Sequence, residues 1–163
     1  MSKFIKAALA SSVLAASVMG ATAAHADTAS ADASANILQQ VSVTNTADLD
    51  FATIVSAPTG STVVVSSAGA VTCNGDLVCS GTATAAGFSV SGTTGETVDV
   101  DVDASVTLTN ADGDTMSASL SPSVSTILLA GGDSFTVGGT LSVGADQADG
   151  AYSGSFDVDV DYQ

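Results

Sequence analysis

The sequence predicts an all-β, antiparallel, immunoglobulin-like sandwich, complete or short of one strand. Three observations carry this. Val, Ala, Thr, Ser and Gly dominate while Leu, Glu and Lys are scarce, a composition that suits pleated, half-buried surfaces. Short runs with a period of two follow one another, divided by Gly, Pro and Asn-Gly or Asp-Gly signals. No stretch beyond the N-terminal leader combines helical periodicity with helix caps. Nine or ten strands in one domain indicate a sandwich, with a closed barrel or jelly roll as the alternative.

The elements are expected in this order. Ile37 to Thr44 alternates as Ile37, Gln39, Val41 and Val43, and Leu49 to Val55 follows. Pro58 and Gly60 break the chain before Ser61 to Ser66. Cys73 to Cys79 encloses an Asn74-Gly75 turn signal. Phe88 to Ser91 leads into a Gly-rich turn, after which Thr97 to Asp103 sets Val98, Val100 and Val102 against Asp99, Asp101 and Asp103. Val106 and Leu108 run to Asp112-Gly113, a strong hairpin signal, and Met116, Ala118 and Leu120 form the return strand. Ile127 to Leu129 and Phe135 to Val143 come next. From Gly150 to Gln163, Tyr152, Phe156, Val158, Val160 and Tyr162 share one face, and Ser153, Ser155, Asp157, Asp159 and Asp161 the other.

The first 26 residues read as a secretory signal. Lys3 and Lys6 supply a positive start, Ala7 to Met19 an apolar core, and Ala24-His25-Ala26 a small-x-small cleavage pattern,. The apolar run falls short of the roughly 20 residues that span a bilayer, so no membrane span is expected. Cleavage after Ala26 leaves 137 of the 163 residues. Residues 27–35 form an N-terminal extension and 36–163 a single domain.

Cleavage also removes every basic side chain. Lys3, Lys6 and His25 precede the cut and all 17 acidic residues follow it. Such a polyanion repels nucleic acid and anionic lipid, while cations and basic partners are attracted. The chain is not disordered by composition: 45% of residues are hydrophobic and the mean hydropathy is +0.44,.

Two cysteines, Cys73 and Cys79, lie six positions apart in an exported chain and are expected to form a local disulfide,. A metal site would lack its usual four ligands. With no His, Lys or Arg after residue 26, triads, Schiff bases, arginine clamps and His-ligated metals are excluded. Only carboxylates remain for acid–base work, and they sit in Val-Asp ladders and Asp-Gly turns. No enzyme activity and no cofactor are expected. The ladders read as solvent faces that also discourage edge pairing; calcium or another cation is the functional reading. Asn110, Asp112 and Asp114 superficially resemble the start of a calcium loop. Gly113 stands at its fourth position and Ser121 where the bidentate Glu belongs,, so a hairpin turn explains them better.

Gly150 is fourteenth from the end, Tyr162 is penultimate, and alternate apolar residues lie between. This stretch resembles the terminal strand of chaperone–usher fimbrial subunits. With Ala35 to Val43, Leu49-Asp-Phe51 and Phe135 to Leu141, the whole mature chain resembles a family of secreted proteobacterial domains related to such pilins. The resemblance implies an incomplete sandwich whose groove a periplasmic chaperone fills first and the next subunit's N-terminal strand fills later. It implies that Gly150, Tyr152, Phe156, Val158, Val160 and Tyr162 line the acceptor groove, and that Ala29, Ala31, Ala33, Ala35 and Ile37 form the donor strand. The expected partners are copies of this chain or related subunits, a periplasmic chaperone and an outer-membrane usher. The expected location is the periplasm in transit, then the cell surface or medium. The alternative is a self-complete secreted sandwich that binds a cation or glycan.

Overall fold

The computed structural model describes residues 27–163; the secretory-signal reading of residues 1–26 lies outside the described residues. Every regular element among the described residues is a strand. Residues 27–35 belong to a separate unit from Asn36–Gln163. They carry no regular element and are exposed throughout.

The domain is an antiparallel β-sandwich of twelve strands. They are β1 (Ser42–Ala47), β2 (Thr53–Val55), β3 (Ser61–Val65), β4 (Val71–Cys73), β5 (Val78–Ser80) and β6 (Ala86–Ser91). There follow β7 (Thr97–Val102), β8 (Ser105–Thr109), β9 (Thr115–Pro122), β10 (Thr126–Leu128), β11 (Asp133–Val143) and β12 (Val158–Tyr162). The large sheet runs β1-β6-β11-β3-β4, with β9 also on β11 and β8 on β9. A second sheet runs β10-β7-β12, and β2 and β5 make a separate ribbon.

The long strand β11 organises the large sheet. Asp133–Val137 pairs with β6, and Gly139–Val143 pairs with β3, while Val137–Ser142 also pairs with β9. The changeover occurs at Gly138-Gly139. A Cβ on Gly138 would lie 2.5 Å from the Val65 carbonyl oxygen and 2.7 Å from the Ser67 nitrogen. Only glycine lets the chain leaving β3 pass that close.

The alternation seen in the sequence becomes two apolar clusters. In one, Phe88, Val90, Phe135 and Val137 of the large sheet meet Val98, Val100 and Val160 of the second sheet. In the other, Val63, Val65, Ala118, Leu141 and Val143 are joined by Val106 and by Phe51, Ala57 and Leu77. Leu49 and Phe156 pack against both. Phe88 stacks on Phe135 at 5.2 Å and meets Phe156 edge-on at 6.3 Å, geometries that suit the ring quadrupole,. Most of these side chains are Val or Ala, so stability rests on many small burials at roughly 25 cal/mol per Å2 of apolar surface.

The Cys73–Cys79 disulfide is present. It ties β4, on the edge of the large sheet, to β5 of the ribbon. Cys79 is itself paired with Ile54. The short ring contributes roughly 2–2.5 kcal/mol in the loop-entropy account.

Three predicted strands differ in extent. The first ladder begins at Ser42, not Ile37. The Gln39 N–H donates to Thr93 Oγ1 and its carbonyl accepts from the Tyr162 hydroxyl, each at 2.7 Å. Those backbone groups are thereby taken by side chains rather than by a neighbouring strand. The face shifts accordingly: Ile37 is 91% exposed and Leu38 half-buried. Leu49 to Val55 is broken at Ala52, whose φ is 62° and whose N–H donates to Asp50 Oδ1 at 2.7 Å, a side-chain-capped turn,. The terminal ladder covers Val158–Tyr162, and Ser153 makes a single bridge to Thr109.

Candidate functional site

The terminal segment keeps a period of two, interrupted only at the exposed Gly154, even where its ladder lapses. Tyr152, Phe156, Val158 and Tyr162 are half-buried and Val160 is buried; every odd position from 151 to 163 is exposed. The lapse has a local cause. Gly154 sits against the Thr107 carbonyl oxygen, leaving no room for a side chain. The register also slips there, from Ser153 opposite Thr109 to Val158 opposite Val102. Gly150 has φ of 145° and faces the Asn110 side chain, a conformation L residues rarely adopt,.

An open groove of about 580 Å3 lies beside this segment. Residues 49–56, which follow β1, and 147–152, which precede the terminal strand, both line it. Leu108, Met116, Leu141 and Val143 from β8, β9 and β11 give it an apolar floor continuous with the core. Its polar lining includes the exposed Asp50 and Asp149. The Tyr152 hydroxyl donates to the Ala148 carbonyl and accepts from Gln147 Nε2, each at 2.9 Å. These bonds shape the 147–152 wall.

Of the residues expected in an acceptor groove, Gly150 and Tyr152 line this one. Phe156, Val158, Val160 and Tyr162 instead pack against the apolar cluster between the two sheets. Tyr162 has a distinct role. Its hydroxyl accepts from the Thr93 N–H and donates to the Gln39 carbonyl, both at 2.7 Å. A side chain on Gly92 would collide with that hydroxyl, at 2.5 Å. The penultimate tyrosine thus latches the start of the domain, the turn after β6 and the last strand together. β1 and β12 each end a sheet, so each has one edge unpaired within the domain,.

Ala29, Ala31, Ala33 and Ala35 are exposed coil, as is Ile37. Of the 147–152 wall, only Gly150 and Tyr152 are expected in a groove; Gln147, Ala148 and Asp149 precede the terminal alternation and carry no such signal.

The two acidic ladders are direct neighbours. Asp159 pairs with Asp101 and Asp161 with Asp99 across β12 and β7, all exposed. The Asp157 N–H donates to Asp103 Oδ2 at 2.9 Å, and Gln163 Nε2 to Asp99 Oδ1 at 2.7 Å. Like charges opposed across strands cost a few tenths of a kcal/mol per pair. The melting temperature is therefore expected to rise between about 0.01 M and about 1 M NaCl, as the Debye length falls from roughly 30 Å to 3 Å. Joint Asp101→Asn and Asp159→Asn substitution is expected to flatten that rise, as calorimetry would show. An unchanged slope would place the repulsion elsewhere.

Asn110, Asp112 and Asp114 form a hairpin turn. Asn110 Oδ1 accepts from the N–H groups of Asp112 and Asp114 at 3.1 and 2.8 Å, while its Nδ2 donates to Asp114 Oδ2 at 3.1 Å. Gly113, at φ of 91°, completes the reversal,. The buried Asn110 thus spends its side chain on the turn itself. Among the described residues no group of three or more His, Cys, Asp or Glu side chains is arranged to hold a metal ion. No helix among them is long and apolar enough to cross a membrane.

No curated protein and no solved structure matches this chain. One family model does, the domain of unknown function DUF4402, over residues 41–162. That span runs from the residue before β1 to the latching tyrosine and takes in every strand of the sandwich, so the chain belongs to the DUF4402 family.

Proposed function

We propose that this domain is an exported structural subunit of a fimbria or related surface filament, joined to its neighbours by strand addition. One observation carries the reading: an open groove of about 580 Å3 with an apolar floor, walled by residues 49–56, between β1 and β3, and by residues 147–152, ahead of β12. An extended segment laid there would bury side chains from alternate positions. Its backbone would find partners on the free edge of β2, which lines the groove and pairs only with β5, as strand addition requires,. The absence of any Lys, Arg or His from residue 27 onward supports a structural rather than catalytic role,. The fimbrial resemblance of the terminal strand supports a periplasmic chaperone and an outer-membrane usher as assembly partners. It also supports passage through the periplasm to the cell surface.

Ile54→Asp and Met116→Asp place a charge in the groove lining and leave the tyrosine latch untouched; Ile54 stands opposite Cys79, so Met116→Asp is the variant away from the disulfide. In the producing cell, each is expected to abolish SDS-resistant assemblies while folded monomer is still recovered. Assemblies that persist in both variants would overturn strand addition.

The paired acidic ladders favour a second reading, a sandwich that binds a divalent cation at the cell surface. Millimolar calcium should then raise the melting temperature more than sodium chloride of equal ionic strength. Equal shifts would reduce the ladders to a screened solvent face.

A further inference from the structure

We propose that the strand seated in the groove comes from a different chain and is basic and bulky: large apolar residues at alternate positions, with Lys or Arg between them. This rests on the strand-addition reading and names its partner. The competing occupant is the N-terminal segment of a second copy, and both size and charge disfavour it.

Size comes first. The groove is about 580 Å3 and its apolar lining includes Leu49, Ile54, Leu108, Met116 and Leu141. The alternate residues of this chain's own leader are Ala29, Ala31, Ala33 and Ala35, with Ile37 the one large side chain in that register. Alanine carries three carbons fewer than isoleucine or leucine. Each buried methylene is worth roughly fourfold in affinity, so two alanines in place of isoleucines forfeit at least about a hundredfold even after losses to imperfect packing. Backbone hydrogen bonds do not discriminate, because every strand offers the same ones. Side chains decide the occupant.

Charge points the same way. Residues 27–163 contain 17 acidic and no basic side chains. Asp50 and Asp149 stand exposed in the groove lining. A second copy's leader brings Asp27 and Asp32 to this surface and no side-chain cation. A strand with Lys or Arg at its outward positions meets these carboxylates and is steered in by the field of the whole domain.

Three synthetic peptides test the proposal on the purified exported protein: residues 27–41 of this chain, an alternating Ile-Lys strand and an alternating Ile-Asp strand of the same length. Calorimetric titration is paired with amide exchange to locate each peptide. The Ile-Lys strand is expected to bind at least about a hundredfold more tightly than the leader peptide. It should weaken several-fold between about 0.05 M and about 0.5 M salt, and should protect residues 49–56 and 147–152. If the leader peptide binds as well as the Ile-Lys strand, the partner is a second copy: strand addition stands and this proposal falls. Equal binding of the Ile-Asp strand removes the charge requirement and overturns the proposal as stated. Protection confined to Asp99–Asp103 and Asp157–Asp161 would mean adsorption to the acidic face, which also overturns it. If no peptide binds the groove, strand addition itself fails.

Discussion

Gly138→Val is expected to cost about 3–5 kcal/mol, a large share of the roughly 5–15 kcal/mol that keeps a domain folded. The position is not a turn, and its cost is not one of backbone freedom. A Cβ there would meet three backbone atoms, the Val65 oxygen and the Ser66 carbon and Ser67 nitrogen, at 2.5 to 2.7 Å. None of these can rotate away as a side-chain end would. β11 cannot retreat either, because the adjoining Gly139–Ser142 stretch is paired with β3 and with β9 at once. The clash is therefore transmitted to two ladders. Gly113→Ala provides the contrast: its φ is 91°, but nothing lies within 4 Å of the new methyl. It should cost about 1–2 kcal/mol from backbone conformation alone. Urea unfolding of both variants would separate the effects, and a Gly138→Val cost no larger than that of Gly113→Ala would refute the close-approach account.

Gly138 marks the boundary of what the sequence can convey. Strand runs such as Thr97 to Val102 and Phe135 to Val143 are legible because side-chain alternation is local, and a half-buried sheet enforces it at every second residue. The Asp112-Gly113 hairpin is legible because positive φ has a residue signature. The Cys73–Cys79 bond is legible from spacing together with the expectation of export,. Gly138-Gly139 lies inside a strand pattern and signals at most a weak point. Its reason is the approach of residues 65–67, more than 70 positions earlier in the chain, and no local rule encodes that contact.

The same distinction governs the candidate site. The terminal alternation from Tyr152 to Tyr162 and the two Asp ladders are visible one strand at a time. That Asp101 stands opposite Asp159 depends on the register between β7 and β12, set by the apolar face they share rather than by the aspartates. The groove needs residues 49–56 and 147–152 side by side. Neither stretch is a clean strand, since Ala52 holds positive φ in the first and Gly150 in the second, with Asp146 just ahead of it. The break at Ala52 also explains why a pattern reading merges Leu49 to Val55: Leu49, Phe51 and Val55 keep period two in sequence while the backbone turns between them. Ile37 misleads in the opposite sense. It continues the alternation of Val41 and Val43, yet the hydrogen bonds of Gln39 to Thr93 and Tyr162 interrupt the face before it is reached.

Leu141→Ala probes core and groove together, and its size is informative. Leu141 is 2% exposed, lies opposite Val63 on one side of β11 and Ala118 on the other, and also lines the groove. Truncating a fully enclosed leucine costs up to about 5 kcal/mol, because the cavity adds to the lost transfer energy. Where the void opens onto an existing groove, solvent can enter and the cavity contribution shrinks. The expected loss is then about 3 kcal/mol, toward the lower end of that range. Val63→Ala, at a fully buried position of the same cluster outside the groove lining, serves as the enclosed reference. Per carbon removed, Val63→Ala should cost more than Leu141→Ala in chemical denaturation. If Leu141→Ala proves the costlier per carbon, the groove floor is sealed in solution, and a strand entering there would first have to displace part of the core.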